Sequence, residues 1–115
     1  MPSETVITVA DFILLHANDL QEPDEVRRLV DRCRMSRAYR GQPMLFNEDD
    51  HTDFAGSDNN MLAAISRHAS WGFFDYRRED EEFGEGYQSM PTDWGVNTER
   101  KRAFFRLTRQ ITGGQ

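Results

Sequence analysis

A cluster of polar and acidic residues, Asn47-Glu48-Asp49-Asp50-His51, directly follows the short apolar run Met44-Leu45-Phe46. Parallel strands of α/β folds deliver their functional side chains at their carboxyl ends, so a carboxylate placed there is a candidate for chemistry. Glu48 is therefore the first candidate for a nucleophile or general base, and Asn47 beside it for substrate binding. An ordinary acidic loop after a strand fits the same residues equally well.

A second carboxylate, Asp75, follows the next apolar segment of the chain. Retaining sugar hydrolysis uses two carboxyl groups about 5–5.5 Å apart. Asp75 is the only local partner for Glu48 and is predicted to belong to the substrate site. The alternative is that Asp75 caps a turn.

His16 and Asn18 follow the first apolar run of the chain. Both are expected at the same end of the sheet as Glu48, where they would bind substrate hydroxyls or orient the Glu48 carboxylate. The alternative is a buried histidine with its hydrogen bonds satisfied, followed by a turn asparagine.

A divalent cation could use Asp49, Asp50, His51 and Asp53, because carboxylates and imidazole are common metal ligands. The spacing matches no EF-hand loop, and the chain has no His-x-x-x-His pair. A solvated acidic turn is therefore favoured, and no metal or other cofactor is predicted.

Aromatic residues are concentrated in the third part of the chain, and Trp71, Tyr87 and Trp94 are candidates for stacking on sugar rings. The alternative is that they are core residues. Tyr87 and Trp94 belong to a long predicted loop, residues 77–95, whose charged start is expected to be solvated. Residues 100–102 are predicted to lie on the outer face of the last helix.

These candidate residues need a scaffold, and the apolar pattern predicts strand, helix, strand, helix, strand, helix. The predicted fold class is α/β, with three consecutive βα units and parallel strands. Pro23 marks one helix start, Asp58 or Asn59 caps the next, and Asn97 or Thr98 caps the last. The predicted strands are residues 12–15, 44–46 and 70–74.

Composition fits one globular domain, residues 1–115, with residues 1–10 as an N-terminal extension. The formal charge of −6 argues against non-specific binding of nucleic acid or of an anionic membrane. No stretch is long and apolar enough to span a bilayer, and the N-terminus has no signal-peptide pattern, so a cytoplasmic location is the default expectation. Cys33, the single cysteine, is expected to pack inside as a small apolar residue.

Six segments resemble the C-terminal part of (β/α)8-barrel (TIM-barrel) proteins of glycoside-hydrolase type. They are Asp11-Phe-Ile-Leu-Leu-His16, Met44-Leu-Phe-Asn-Glu-Asp-Asp-His51, Asn59-Asn-Met-Leu-Ala-Ala64, Ala69-Ser-Trp-Gly-Phe-Phe-Asp75, Gly86-Tyr-Gln-Ser89 and Asp93-Trp-Gly95. The resemblance covers nearly the whole chain after residue 11. It implies a partial barrel whose three strands are the sixth, seventh and eighth.

The resemblance also implies roles for individual residues. Glu48 matches the nucleophile at the end of the seventh strand, Trp71 matches the floor of the sugar site, and His16 matches a residue that touches the nucleophile. The general acid of such enzymes comes from the fourth strand, which has no counterpart here. The chain is therefore expected to be a fragment that is inactive or weak by itself, and to self-associate or pair with the rest of a barrel.

Two other hypotheses stay open. The first is a non-catalytic α/β module that binds carbohydrate or a partner through the strand-end face. The second is a small metal-dependent hydrolase that uses Asp49, Asp50 and His51.

Overall fold

Three parallel strands form one sheet in the order β1-β2-β3. They are β1 (Ile13–His16), β2 (Met44–Asp49) and β3 (Ser70–Phe73). The computed structural model describes residues 1–87 and 94–114. It confirms an α/β fold with a parallel sheet, and the observed strand ends differ from the predicted ones by one to three residues.

Four α-helices accompany the sheet, and among the described residues none is long and apolar enough to cross a membrane. They are α1 (Glu4–Val9), α2 (Pro23–Met35), α3 (Asn60–Ser66) and α4 (Glu99–Thr112), with a 3₁₀ turn at Phe83–Glu85. Helix α1 was not predicted and occupies most of the expected N-terminal extension.

The predicted helix starts are confirmed by their hydrogen bonds. Pro23 occupies the first turn of α2. The side chain of Asn59 accepts a hydrogen bond from the backbone N–H of Leu62, and Thr98 accepts one from Lys101. Such caps satisfy N–H groups that have no partner within the helix.

One face of the sheet packs against α2 and α3. Alternate residues of β1 and β2 point into this core, as expected for a strand with one buried face. The core residues from the sheet and the two helices are Ile13, Leu15, Met44, Phe46, Val26, Leu29, Val30, Cys33, Ala63 and Ala64. Cys33 is fully buried, as predicted. The opposite face carries Leu14, which is exposed, and Leu45, which is half-buried.

Helix α3 buries Met61 and two alanines. Ala63 and Ala64 are fully buried, whereas Leu62 and Ile65 are only half-buried. Ala69 is buried but lies beyond the end of the helix. Met61 and the two alanines therefore form the buried face, and Leu62 and Ile65 flank it.

The chain divides into two compact units. The first unit contains residues 1–49 and 58–73, and therefore the whole sheet with α1, α2 and α3. The second unit contains residues 50–57 and 74–115. In the second unit Leu107 of α4 is buried, and the rings of Phe54 and Phe104 lie 5.5 Å apart between centroids.

Candidate functional site

His16 and Glu48 meet at the carboxyl ends of β1 and β2. They are register partners in the parallel ladder, and His16 Nδ1 lies 3.6 Å from Glu48 Oε2. Both side chains are partly exposed to solvent. The predicted proximity of these two residues is therefore observed, at ion-pair distance when the imidazole is protonated.

A break in the strand register creates this pairing. Leu15 pairs with Phe46, but the next residue, His16, pairs with Glu48, so β2 contains one extra residue. The backbone N–H of Ala17 then bonds to the Glu48 carbonyl at 3.3 Å. An extra residue in one strand re-aims the side chains beyond it. Phe46 consequently points into the core, while Glu48 lies with His16 at the exposed face.

Two asparagines close to this pair in sequence have unused hydrogen-bonding capacity. The side-chain Oδ1 atoms of Asn18 and Asn47 are buried, and neither has a hydrogen-bond partner among the described residues. Buried polar atoms without a partner are uncommon in folded proteins. Both residues follow or adjoin the ion pair in sequence, at the strand ends predicted to bind substrate. Each oxygen can accept a hydrogen bond from a ligand hydroxyl.

Trp71 is placed on the other side of the sheet from Glu48. Its register partner is Phe46, and it packs against the core. The indole N–H donates a 2.9 Å hydrogen bond to the carboxylate of Asp49, which is fully buried. The structure therefore does not bring Trp71 together with Glu48, and its role as the floor of a sugar site stays a prediction.

Asp75 belongs to the second unit and is held there by two cations. Its buried carboxylate accepts a hydrogen bond from Arg100 and lies 3.8 Å from Lys101 Nζ. Arg100 also bonds to Glu81, and this contact lowers the pKa of the Glu81 carboxyl and raises the pKa of Arg100. Asp75 is thus neutralised within its own unit, and its role as the partner acid of Glu48 stays a prediction.

Tyr87 and Trp94 form a stacked pair in the second unit, with ring centroids 5.7 Å apart. Lys101 Nζ lies 4.0 Å from the Tyr87 ring centroid, and the Tyr87 hydroxyl donates to the Gly95 carbonyl. Trp94 is 73% exposed and has a backbone φ of 58°. Gln88, Ser89 and Asp93, which the family resemblance also used, lie outside the described residues.

The residues of the metal hypothesis have protein partners of their own. Asp49 accepts the hydrogen bond from Trp71, and His51 Nδ1 lies 3.7 Å from the Asp50 carboxylate. Metal binding by these residues stays a prediction.

Arg100 and Lys101 correct one expectation. They were predicted on the outer face of α4, but Lys101 is fully buried and Arg100 is largely buried. The sequence contained a usable signal, because residues three apart share a helix face. Extending the apolar positions Ala103 and Phe104 back by three residues leads to Arg100 and Lys101.

Comparison with known proteins assigns no family or function to the chain. No protein-family model matches the chain, and no curated protein or solved structure is significantly similar to it.

Proposed function

We propose that the sheet is part of a glycoside-hydrolase-type (β/α)8 barrel and that its strand ends bind carbohydrate around Glu48. The observation that carries this proposal is the contact between His16 and Glu48 at the ends of adjacent parallel strands. The partly uncovered sheet face with Leu14 and Leu45 also supports it, because a barrel interior would be lined by such residues.

The chemistry of the site suits a hydroxyl-rich ligand. Glu48 can accept hydrogen bonds or attack an anomeric carbon, and His16 Nδ1 lies 3.6 Å from its carboxylate. The unused oxygens of Asn18 and Asn47, residues that follow or adjoin the pair in sequence, are further acceptors. A sugar carries several hydroxyl donors, so one sugar can donate hydrogen bonds to several of these acceptors at once.

Complete hydrolysis also needs a general acid to protonate the leaving oxygen. Asp75 is neutralised by Arg100 and Lys101, and Asp49 accepts the indole N–H of Trp71. Neither of these two carboxylates is therefore available as the general acid. We infer that the chain attacks only sugars whose leaving group departs without protonation.

The test compares two classes of glycoside. Aryl glycosides with a dinitrophenolate leaving group need no general acid, whereas alkyl glycosides do. We expect slow release of dinitrophenolate, read by absorbance, from one sugar of a panel, and no cleavage of its methyl glycoside. Glu48→Gln should abolish release, because the amide keeps the shape but is not a nucleophile. Glu79→Gln, at an exposed glutamate in the second unit, is the matched control.

A non-catalytic carbohydrate-binding module is the second candidate. The buried acceptors of Asn18 and Asn47 favour it, because they serve binding without chemistry. Under this alternative, NMR shifts of the His16 and Asn18 amides would respond to the sugar, yet no dinitrophenolate would be released. Release that persists in Glu48→Gln would refute the nucleophile assignment, and the absence of any sugar response would refute both candidates.

A further inference from the structure

Strand β1 forms one edge of the sheet, and among the described residues its only strand neighbour is β2. The backbone N–H of Ile13 bonds to Pro43 and that of Ala17 bonds to Glu48, so the odd-numbered residues face β2. Since successive residues of a strand direct their backbone groups to opposite sides, Leu14 and His16 direct theirs outward. This edge can pair with another strand.

Residues Phe12 and Leu14 of this edge, and Val6 and Val9 of helix α1, expose apolar side chains. Exposed fractions are 52% for Val6, 76% for Val9, 55% for Phe12 and 43% for Leu14. Val6, Phe12 and Leu14 also line a groove of about 300 Å³ between α1 and the start of β1. Natural edge strands usually carry charges that discourage pairing, and none of the residues 12–15 is charged.

We propose that this edge is a self-association surface, in which β1 pairs antiparallel with β1 of a second copy of the chain. The residues of β1 are compatible with antiparallel pairing to β1 of a second copy. With Leu14 on the twofold axis, Leu14 faces Leu14 and Phe12 faces His16, so the outward N–H and C=O groups of both strands meet. In this register Asp11 faces Ala17, and no acid opposes an acid despite the negative charge of the chain.

The strength of this dimer can be estimated from the apolar area that the exposed side chains would bury. The four side chains would bury about 300 Å² of apolar surface per copy, from the areas of aliphatic and aromatic side chains. A standard stable interface buries about 800 Å² per partner, of which roughly 450 Å² is apolar. The dimer is therefore weak and forms in a concentration-dependent way. This inference concerns the β1 edge and does not rest on carbohydrate binding.

The test is a cysteine placed on the predicted twofold axis. Directly opposed residues of an antiparallel hydrogen-bonded pair have Cα atoms about 5.5 Å apart, within the range of a disulfide. Under mild oxidation we expect Leu14→Cys to yield a covalent dimer on non-reducing gels. Met35→Cys, at an 82% exposed position on α2, is the matched control and should stay monomeric. The native Cys33 is fully buried, and burial raises the pKa of its thiol, so it should not react.

Light scattering on the unmodified chain and on Leu14→Lys completes the test. We expect the mass to rise towards that of a dimer with concentration, and we expect Leu14→Lys to stay monomeric with an unchanged circular dichroism spectrum. A chain that stays monomeric at every concentration would overturn the proposal. So would equal cross-linking of Leu14→Cys and Met35→Cys, or oligomers that Leu14→Lys does not disrupt. None of these outcomes depends on the glycoside assay.

Discussion

Replacing Asp75 by asparagine tests the buried ion cluster that connects Asp75 to the first turn of α4. The Asp75 carboxylate is fully buried and is shared by Arg100 and Lys101. Arg100 keeps Glu81 as a second acidic partner. Lys101 keeps the side chain of Asn97, at 2.8 Å, and the face of the Tyr87 ring, both of which are neutral. The variant therefore leaves Lys101 buried without an anionic partner among the described residues.

The size of the effect follows from the geometry. At 3.8 Å and an effective dielectric constant of about 20, the attraction between Lys101 Nζ and Asp75 Oδ2 is roughly 4 kcal/mol. Removal of one partner from a buried pair costs about 3–5 kcal/mol in general. Asparagine can still accept the hydrogen bond from Arg100, so we expect the lower end, about 3 kcal/mol, or roughly a 100-fold rise in local opening.

Amide hydrogen exchange of α4, read by mass spectrometry on peptides from residues 99–112, measures this opening directly. Asp80→Asn removes an exposed carboxylate from the same unit and is the control. Adding Lys101→Met to Asp75→Asn should restore part of the protection, because the unpaired charge is then gone. A change below about fivefold in Asp75→Asn, or one no larger than in Asp80→Asn, would refute the reasoning.

Three further predictions concern stability. Gly86→Ala should lower the melting temperature, because an added Cβ would lie 2.2 Å from the backbone nitrogen of Arg77. Trp71→Phe should destabilise the chain by about 1–3 kcal/mol in urea unfolding, because Asp49 loses its indole donor while staying buried. Glu81 has a lowered pKa in the folded chain, so its contribution is complete at neutral pH and is lost as the pH falls below its usual value of about 4.3. The stability difference between the unmodified chain and Glu81→Gln should therefore shrink in acid.

Each of these has a clear contrary result. An unchanged melting temperature in Gly86→Ala would contradict the close backbone approach. Gly41→Ala is the comparison variant, at a position that has a positive φ but open space around an added Cβ. Trp71→Phe with unchanged urea stability would mean that Asp49 is satisfied by other groups. A Glu81→Gln difference that is constant between neutral pH and pH about 3 would contradict the ion pair with Arg100.

The scaffold was largely predictable from local patterns. Apolar runs gave the three strands, and Pro23, Asn59 and Thr98 marked the helix starts because capping depends on neighbouring residues alone. Helix α1 was missed because six residues carry little periodic signal. Its stability comes from burial of Ile7 in the core, which is a tertiary effect.

Contacts within the site were predictable only where the order of the strands determines which residues are neighbours. His16 and Glu48 were expected together because both end adjacent parallel strands, and they are in contact. Trp71 could not be placed, because which face of β3 it occupies depends on register against Phe46. The burial and ion pairing of Asp75 depend on Arg100 and Lys101, which lie 25 and 26 residues further along the chain. Local sequence patterns do not predict contacts at that separation.

The extra residue of β2 between Phe46 and Asp49 has a consequence for how this protein can vary. The extra residue divides strand β2 into a first part whose side chains follow the hydrophobic alternation of the core and a second part whose side chains do not. Deletion of Asn47 would remove the extra residue and leave a regular ladder, with Glu48 still opposite His16 and Asp49 still opposite Phe73. A substitution of the partly exposed Glu48 leaves the packed half of the strand untouched, whereas Asp49 is buried and bonds to Trp71. A lineage could therefore gain or lose the extra residue while Glu48 and Asp49 keep their faces and the folding core stays the same.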